Sequence, residues 1–201
     1  MQYELHRQLV HLSGVAFIIL AQFAGRLSAI YFLMIAATLF IYSLQIKREW
    51  KRMHMLARME SEFRDAVLKL ERHDAPFPFT GAIWFYLSCG ICFLVFPLHI
   101  ASAATIIMAV GDSLSTIIGT KYGKHSTVGN KTEEGTLAYF LGGLLCVFFL
   151  PPLQAVFAAG LGALLELVPA LRPFRGYRKR GILDDNWLVP IAVGLALLFL
   201  S

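Results

Sequence analysis

Between His11 and Ile46 the chain carries a single formally charged side chain, Arg26. A helix needs about 20 predominantly apolar residues to cross a hydrocarbon core, so one such stretch already restricts the chain to folds that present apolar helices to lipid. The pattern then recurs. Seven apolar runs follow one another, Leu9 to Ala24, Leu27 to Ile46, Thr80 to Pro97, Ile100 to Gly119, Thr136 to Leu150, Leu153 to Val168 and Trp187 to Leu200, and each is read as a membrane-spanning helix. Pro151 and Pro152 end the fifth run and start the sixth; a single long re-entrant segment is the alternative there.

Composition agrees: 57% hydrophobic residues, 15% charged residues and a mean hydropathy of +0.64 lie outside the range of soluble domains. With 201 residues, the spans leave no room for a second domain of normal size. Residues 1–201 are therefore expected to form one all-α integral membrane domain, a bundle of about seven transmembrane helices. Lys and Arg are retained on the cytoplasmic side. With the N-terminus inside, that side receives Arg7, the cluster from Lys47 to Arg72, Lys121, Lys124, Lys131 and the group Arg172, Arg175, Arg178, Lys179 and Arg180, and only Arg26 falls outside. The C-terminus is then outside. The net charge of +5 follows from topology, without nucleic acid as a partner. The first run lacks a small-residue cleavage site followed by a polar mature domain, so it reads as a span and not a signal peptide. Small size without a targeting extension suggests a prokaryotic cell membrane, or the endoplasmic reticulum in a eukaryote.

Cys89 and Cys92 form a C-x-x-C inside the third run, where a redox or zinc site lacks polar partners; these two and Cys146 read as packing residues. Residues 47–79 alternate basic, acidic and apolar positions at helical spacing, with Trp50, Met53, Leu56, Phe63, Val67 and Leu70 along one face. That segment is expected to be a cytoplasmic amphipathic connector lying at the membrane surface, stopped by Pro76 and Pro78. It either joins two spans or covers the site.

Ionisable groups at membrane helices are costly and usually functional. Asp112, Glu133, Glu134, Glu166, Asp184 and Asp185 all fall at or near cytoplasmic ends of spans, and Lys121, Lys124 and Lys131 share that side. Asp112, Ser115, Thr116 and Gly119 are three, four and seven apart and share a helix face. The loop "TKYGKHSTVGNKTEEGT" adds Gly123, Gly129 and Gly135 for close backbone approach, and N–H groups at the start of the next helix that attract anions. Thr132 and Glu134 suit that helix's cap equally well. Carboxylates, lysines and a glycine-bearing helix entry together suit phosphoryl transfer, which consists mainly of positioning and charge neutralisation around a divalent cation such as Mg²⁺.

The set Gly111-Asp112, Gly119, Gly123-Lys124, Asn130-Lys131-Thr132, Glu134-Gly135, Glu166-Leu167-Val168-Pro169 and Asp184-Asp185-Asn186 with Pro190 resembles the CTP-dependent lipid kinases, which include dolichol kinase, phytol kinase and the yeast-type diacylglycerol kinase. The opening "ELHRQLVHLSG" is similar to the family's first segment, with Glu4, Arg7 and His11 three and four apart, and with Gln8 where the family often has Lys. The resemblance implies CTP as phosphoryl donor, a divalent metal and a hydrophobic alcohol as acceptor. The loop is also similar to that of the CDP-diacylglycerol synthases, which transfer a cytidylyl group. Those continue with a His- and Gly-rich stretch where this chain reads "KRGILDDNWLVP", so the kinase is preferred.

On this reading Asp112 is the leading Mg²⁺ ligand, with Asp184 or Asp185 as a second acid and Asn186 orienting it. Lys131 and Lys124 bind the triphosphate. Glu134 holds metal-bound water or the ribose, and Thr132 and the N–H groups of Gly135 and Thr136 help to place phosphate. Glu166 is the base for the acceptor hydroxyl, and Arg7 and His11 pin the transferred phosphate or brace the acids. A polyprenol or dolichol leads as acceptor, with geranylgeraniol or phytol next and a diacylglycerol-type lipid still open. A small transporter is the remaining alternative; it calls for polar groups through the membrane depth, whereas here the charges gather at one face.

Overall fold

The computed structural model describes residues 2–47, 78–174, 176–177 and 183–200, and for 2–10 and 47 the backbone alone. All regular structure in these residues is helical. The elements are α1 (Gln2–Ala24), α2 (Ser28–Lys47), α3 (Thr80–Val95), α4 (Leu98–Ile106), α5 (Asp112–Tyr122), α6 (Glu133–Gly143), α7 (Pro152–Leu165) and α8 (Asp185–Leu200). The connector expected over 47–79 lies, apart from its ends, outside the described residues.

Among the described residues three stretches are long and apolar enough to cross a membrane, His11–Ile46, Leu98–Tyr122 and Pro152–Ala170, and α3 and α8 are shorter apolar helices. The first stretch is two helices. The chain reverses through a 3₁₀ turn at Gly25–Leu27, where Gly25 takes a positive φ of 56°, and the rings of Phe17 and Phe32 consequently lie 5.0 Å apart. Fifteen residues of unbroken helix would separate them by roughly 22 Å. The Pro151-Pro152 break is also real. The 3₁₀ turn Leu144–Phe148 ends α6, Pro152 opens α7, and Gly143 meets the Ala159 methyl at 3.2 Å from where its own Cβ would stand. Small residues at both positions let α6 and α7 pack as a close hairpin of two separate helices.

Outward faces are apolar: Phe23, Phe148, Leu153 and Phe199 are 87%, 76%, 84% and 88% exposed. Surfaces of this kind suit hydrocarbon better than water. Inside, α4 is sheathed on all sides, with Ala101, Ala103 and Ala104 fully buried, and short side chains there admit α1, α3 and α8. Cys89, Cys92 and Cys146 are buried free thiols, as their surroundings led us to expect.

Between α4 and α5 the rod does not break but widens into a π-helical segment, Ile107–Gly111. Such insertions shift the register of everything beyond them and recur at functional sites. A ring packs against this segment: Tyr139, fully buried on α6, lies 2.7 Å from where a Gly111 Cβ would stand and 3.3 Å from where one on Gly162 of α7 would stand. On α8, Pro190 cannot donate to the carbonyl of Asn186 four residues back. The Ser88 hydroxyl of α3 donates to that carbonyl instead, at 2.7 Å, which ties α8 to α3 one turn from the acids.

Candidate active site

Four helices and one loop deliver charge to a single place. Glu166, at the end of α7, is fully buried. Its Oε1 accepts from the Ser115 hydroxyl of α5 at 2.7 Å and from the Lys131 ammonium at 2.5 Å. Lys131 Nζ also lies 3.8 Å from Asp185 Oδ2, at the start of α8. Asp112, at the start of α5, is close enough for its charge to act on Lys131 and Glu166. Its Oδ2 stands 3.7 Å from His11 Nε2 of α1, whose ring packs edge-on against Phe85. Burial pulls the Lys131 ammonium toward neutrality, but Glu166, Asp185 and Asp112 together outweigh it and hold its pKa above the ordinary 10.5.

The polar stripe expected on the fourth run is present in its inner half: Asp112 and Ser115 are buried, whereas Thr116 and Gly119 are partly exposed. Asp112 also sits ten residues before the end of α5, about 15 Å along the rod, so the cluster is recessed and not on the rim. The neighbours Asp184 and Asp185 divide. Asp184 precedes α8 and caps it, accepting from the Asn186 N–H at 3.0 Å and from Asn186 Nδ2 at 2.6 Å, so Asn186 does orient an acid, but the capping one. Asp185 faces Lys131.

The loop residues form a second assembly. Residues 125–134 fold into a small hairpin with a bridge between Ser126 and Thr132, and the N–H of Lys131 donates to the Val128 carbonyl at 3.0 Å. Gly129, at its tip, has φ 63°. Thr132 caps α6, its Oγ1 accepting from the Gly135 N–H at 3.1 Å, while its carbonyl takes the Thr136 N–H at 2.9 Å. The N–H of Glu133 goes to the His125 carbonyl at 2.9 Å. The two N–H groups expected to hold phosphate are thus engaged in capping. Glycine does permit close approach here. A Cβ on Gly123 would stand 2.3 Å from the Gly119 carbonyl, and one on Gly135 would stand 3.1 Å from that of Ser115.

Glu134 reaches back across the loop: His125 Nδ1 is 2.7 Å from Oε1, and the His125 N–H donates to Oε2 at 3.3 Å. Its own backbone N–H and then the His125 ring hold the Glu134 carboxyl down at about 2, and the same hydrogen bond, with the charges of Glu134 and Glu133, raises the His125 pKa above 6.5. Lys124 is exposed. Arg7 and Glu4 lie on α1, and their side chains are outside the described residues.

Two buried oxygens around the cluster, Glu166 Oε2 and Asn186 Oδ1, accept no hydrogen bond from the described residues. Among the described residues no three His, Cys, Asp or Glu side chains stand together as a ready-made metal cage. The donor set is oxygen-rich and anionic, which fits Mg²⁺ held by one or two carboxylates and completed by water and phosphate. Sequence reasoning missed Tyr139 and His125. Tyr139 carried a signal, since Gly135, Tyr139 and Gly142 are four and seven apart on one face of α6. His125 carried none, because its partner is chosen by the path of the loop.

The chain is similar to an uncharacterized protein of Methanocaldococcus jannaschii, 30% identical over 128 residues that cover 63% of this chain and 60% of that protein. It is also similar to an uncharacterized protein of Rickettsia prowazekii, 20% identical over 142 residues, covering 71% of this chain and 68% of that protein. The match thus spans about two thirds or less of each relative's length. No family model matches the chain, and no solved structure matches it.

Proposed function

We propose that this chain is an integral membrane enzyme that phosphorylates a membrane-embedded lipid alcohol with CTP, giving the lipid monophosphate and CDP at the cytoplasmic end of a bundle of about seven spans. The observation that carries the proposal is the Lys131 ammonium seated on Glu166 and Asp185, recessed among helices whose outer faces are apolar. A water-soluble phosphate donor can reach such a site from one end, and a lipid hydroxyl from the side. The resemblance of the Gly111-Asp112, Lys131-Thr132 and Asp184-Asp185-Asn186 segments to CTP-dependent lipid kinases supports the choice of donor and acceptor.

In this reading Lys131 binds the β and γ phosphates, with Lys124 at the mouth of the loop. Glu166 accepts the proton of the acceptor hydroxyl as the alcohol oxygen bonds to the γ phosphorus and the bond to the β-phosphate oxygen breaks, releasing CDP. His11 braces Asp112, and Ser115 fixes the orientation of Glu166. Asp112 and Asp185 would hold a divalent cation, which when bound neutralises charge on the transferring phosphoryl group.

Purified protein with Mg²⁺ and a mixed lipid-alcohol extract provides the test, with CTP labelled on the γ-phosphate in one reaction and on the α-phosphate in another. Label from the γ position in the organic phase is expected, and chromatography of that product names the acceptor. Label from the α position instead identifies a cytidylyltransferase and overturns the kinase. Label from neither position overturns both.

A further inference from the structure

Between α3 and α8 one buried acceptor and one buried donor find no match among the described residues. Asn186 is 2% exposed. Its Nδ2 donates to Asp184 Oδ1 at 2.6 Å, which fixes the orientation of the amide, since turning it over would set oxygen against carboxylate. The Oδ1 left over accepts nothing from the described residues. Trp84 Nε1 is equally hidden and donates to none of them. The two belong to one seam. Gly81, Trp84 and Ser88 are three and seven apart and share a face of α3, and both ends of that series touch Asn186. A Cβ on Gly81 would stand 3.4 Å from Asn186 Nδ2, and the Ser88 hydroxyl donates to the Asn186 carbonyl at 2.7 Å. Trp84 lies between these contacts, its ring 6.3 Å from that of Trp187, the next residue of α8. Gly81, Trp84, Trp187 and Leu188 are partly exposed, so the seam reaches the surface although its polar atoms do not.

Leaving an indole N–H and an amide oxygen buried and unpaired forfeits their hydration without return, and such groups call for a ligand or a bound water. The missing partner must donate to Oδ1 and accept from Nε1. A hydroxyl does both, whereas a carboxylate only accepts and an ammonium only donates. Water has the same two capacities, but the lip of this seam is a pair of indoles on helices with apolar outer faces, which suits an amphiphile with one polar end. We propose that the α3–α8 seam is the receiving seat of the lipid alcohol, with its hydroxyl held between Trp84 Nε1 and Asn186 Oδ1 and its chain leaving past the Trp84 and Trp187 indoles. The seat adjoins the charged cluster: Asp185, one residue before Asn186, stands 3.8 Å from the Lys131 ammonium. From here the hydroxyl passes to Glu166 for transfer. This inference rests on the lipid-kinase reading and names the side from which the acceptor comes.

The probe is geranylgeraniol carrying a diazirine in its first isoprene unit, photolysed with the protein in detergent without nucleotide. Mass spectrometry should place the adducts on Gly81–Trp84 and Trp187–Ile191. Unmodified geranylgeraniol should displace them at least several-fold better than its methyl ether, which accepts a hydrogen bond but has none to give Asn186. Trp84→Phe keeps a ring in place and removes only the N–H. It should raise KM for the alcohol several-fold, with kcat within about twofold and KM for CTP unchanged. Adducts confined to another pair of helices overturn the seat. Equal displacement by alcohol and ether also overturns it, because water alone then fills the two atoms' needs, as does a folded Trp84→Phe protein with the natural KM for the alcohol. Should that variant fail to fold, the cross-linking on the natural chain decides alone. Hydroxyl-dependent adducts in the seam without label from γ-labelled CTP would sink the kinase and leave an alcohol-binding site; label transfer with adducts elsewhere would keep the kinase and sink the seat.

Discussion

Lys131 and Glu134 are three residues apart and end in opposite surroundings. The Lys131 ammonium turns inward onto Glu166, which has no exposed surface. The Glu134 carboxylate turns back along the loop onto His125, whose side chain is 70% exposed. Both residues are charged, both belong to the same polar stretch, and sequence alone gave them equal standing as site residues. The difference teaches that a charge in a membrane-type chain is informative in proportion to what its burial costs: three helices supply partners for Lys131 and Glu166, whereas the Glu134 pair needs only a short loop.

The largest expected effect tests that division directly. Glu166→Gln keeps the shape of the site and removes the proton acceptor, so lipid phosphorylation should fall by about 10² to 10⁴. Asp112→Asn should likewise abolish it in a protein that still elutes as a folded species. Glu134→Gln should cost about an order of magnitude or less, the scale of ~1.4 kcal/mol in transition-state positioning. Initial rates with the acceptor named by the labelled-CTP experiment make the comparison. A Glu134→Gln loss as deep as that of Glu166→Gln would erase the distinction between the two regions and return Glu134 to the chemistry.

The same division separates what the sequence discloses from what it withholds. Helix positions follow from apolar run length, and the Pro151-Pro152 break from two residues that cannot continue a helix. The gathering of Asp112, Glu166 and Asp185 follows from acids placed toward like ends of spans, because carboxylates there have few other stable places to be. Backbone details leave no such trace. The π segment at Ile107–Gly111 packs against the Tyr139 ring of another helix, and a 3.6-residue reading of that run cannot register it. Asp184 and Asp185 are adjacent and chemically alike, and only the start of α8 decides that one caps and the other faces Lys131. Thr132 and Gly135 fit a cap or an anion site equally well by spacing; the loop's own geometry shows the cap, with the Gly135 N–H on Thr132 Oγ1.

A smaller effect sharpens the buried side of the comparison. Pro190 leaves the Asn186 carbonyl without its helical donor and Ser88 supplies one at 2.7 Å, so Ser88→Ala should destabilise the protein by about 1 to 3 kcal/mol, the cost of a buried unsatisfied carbonyl. Pro190→Ala returns an N–H to that carbonyl. In its background Ser88→Ala should cost about 1 kcal/mol less, a coupling that a double-mutant cycle of detergent unfolding measures. Strict additivity would mean that the hydroxyl does not replace the missing helical bond, and that α8 is held at the acids by packing alone.

The smallest effect belongs to the loop, and its pH dependence has a definite sign. Hydrogen bonding to Glu134, aided by the charges of Glu134 and Glu133, raises the folded-state pKa of His125 above 6.5. The protonated ring's contribution to holding the hairpin is therefore fully present below about pH 6.5 and is lost as pH rises through the raised value. Glu134 is displaced the other way, from 4.5 to about 2, first by its own backbone N–H and then by the His125 ring. Its contribution is present above about pH 4.5 and is lost only as pH falls through about 2. The clasp is consequently strongest between about pH 4.5 and 6.5. Histidine resonances should show His125 titrating above 6.5, and Glu134→Gln should bring that midpoint down. Amide exchange across residues 126–131 should quicken on the alkaline side of the His125 midpoint, beyond the intrinsic rise of exchange with pH, and the excess should vanish in Glu134→Gln. A His125 that titrates at or below its ordinary value would mean that the clasp does not persist in solution, and the hairpin that carries Lys131 would then be held by the Thr132 cap and the glycine contacts with α5.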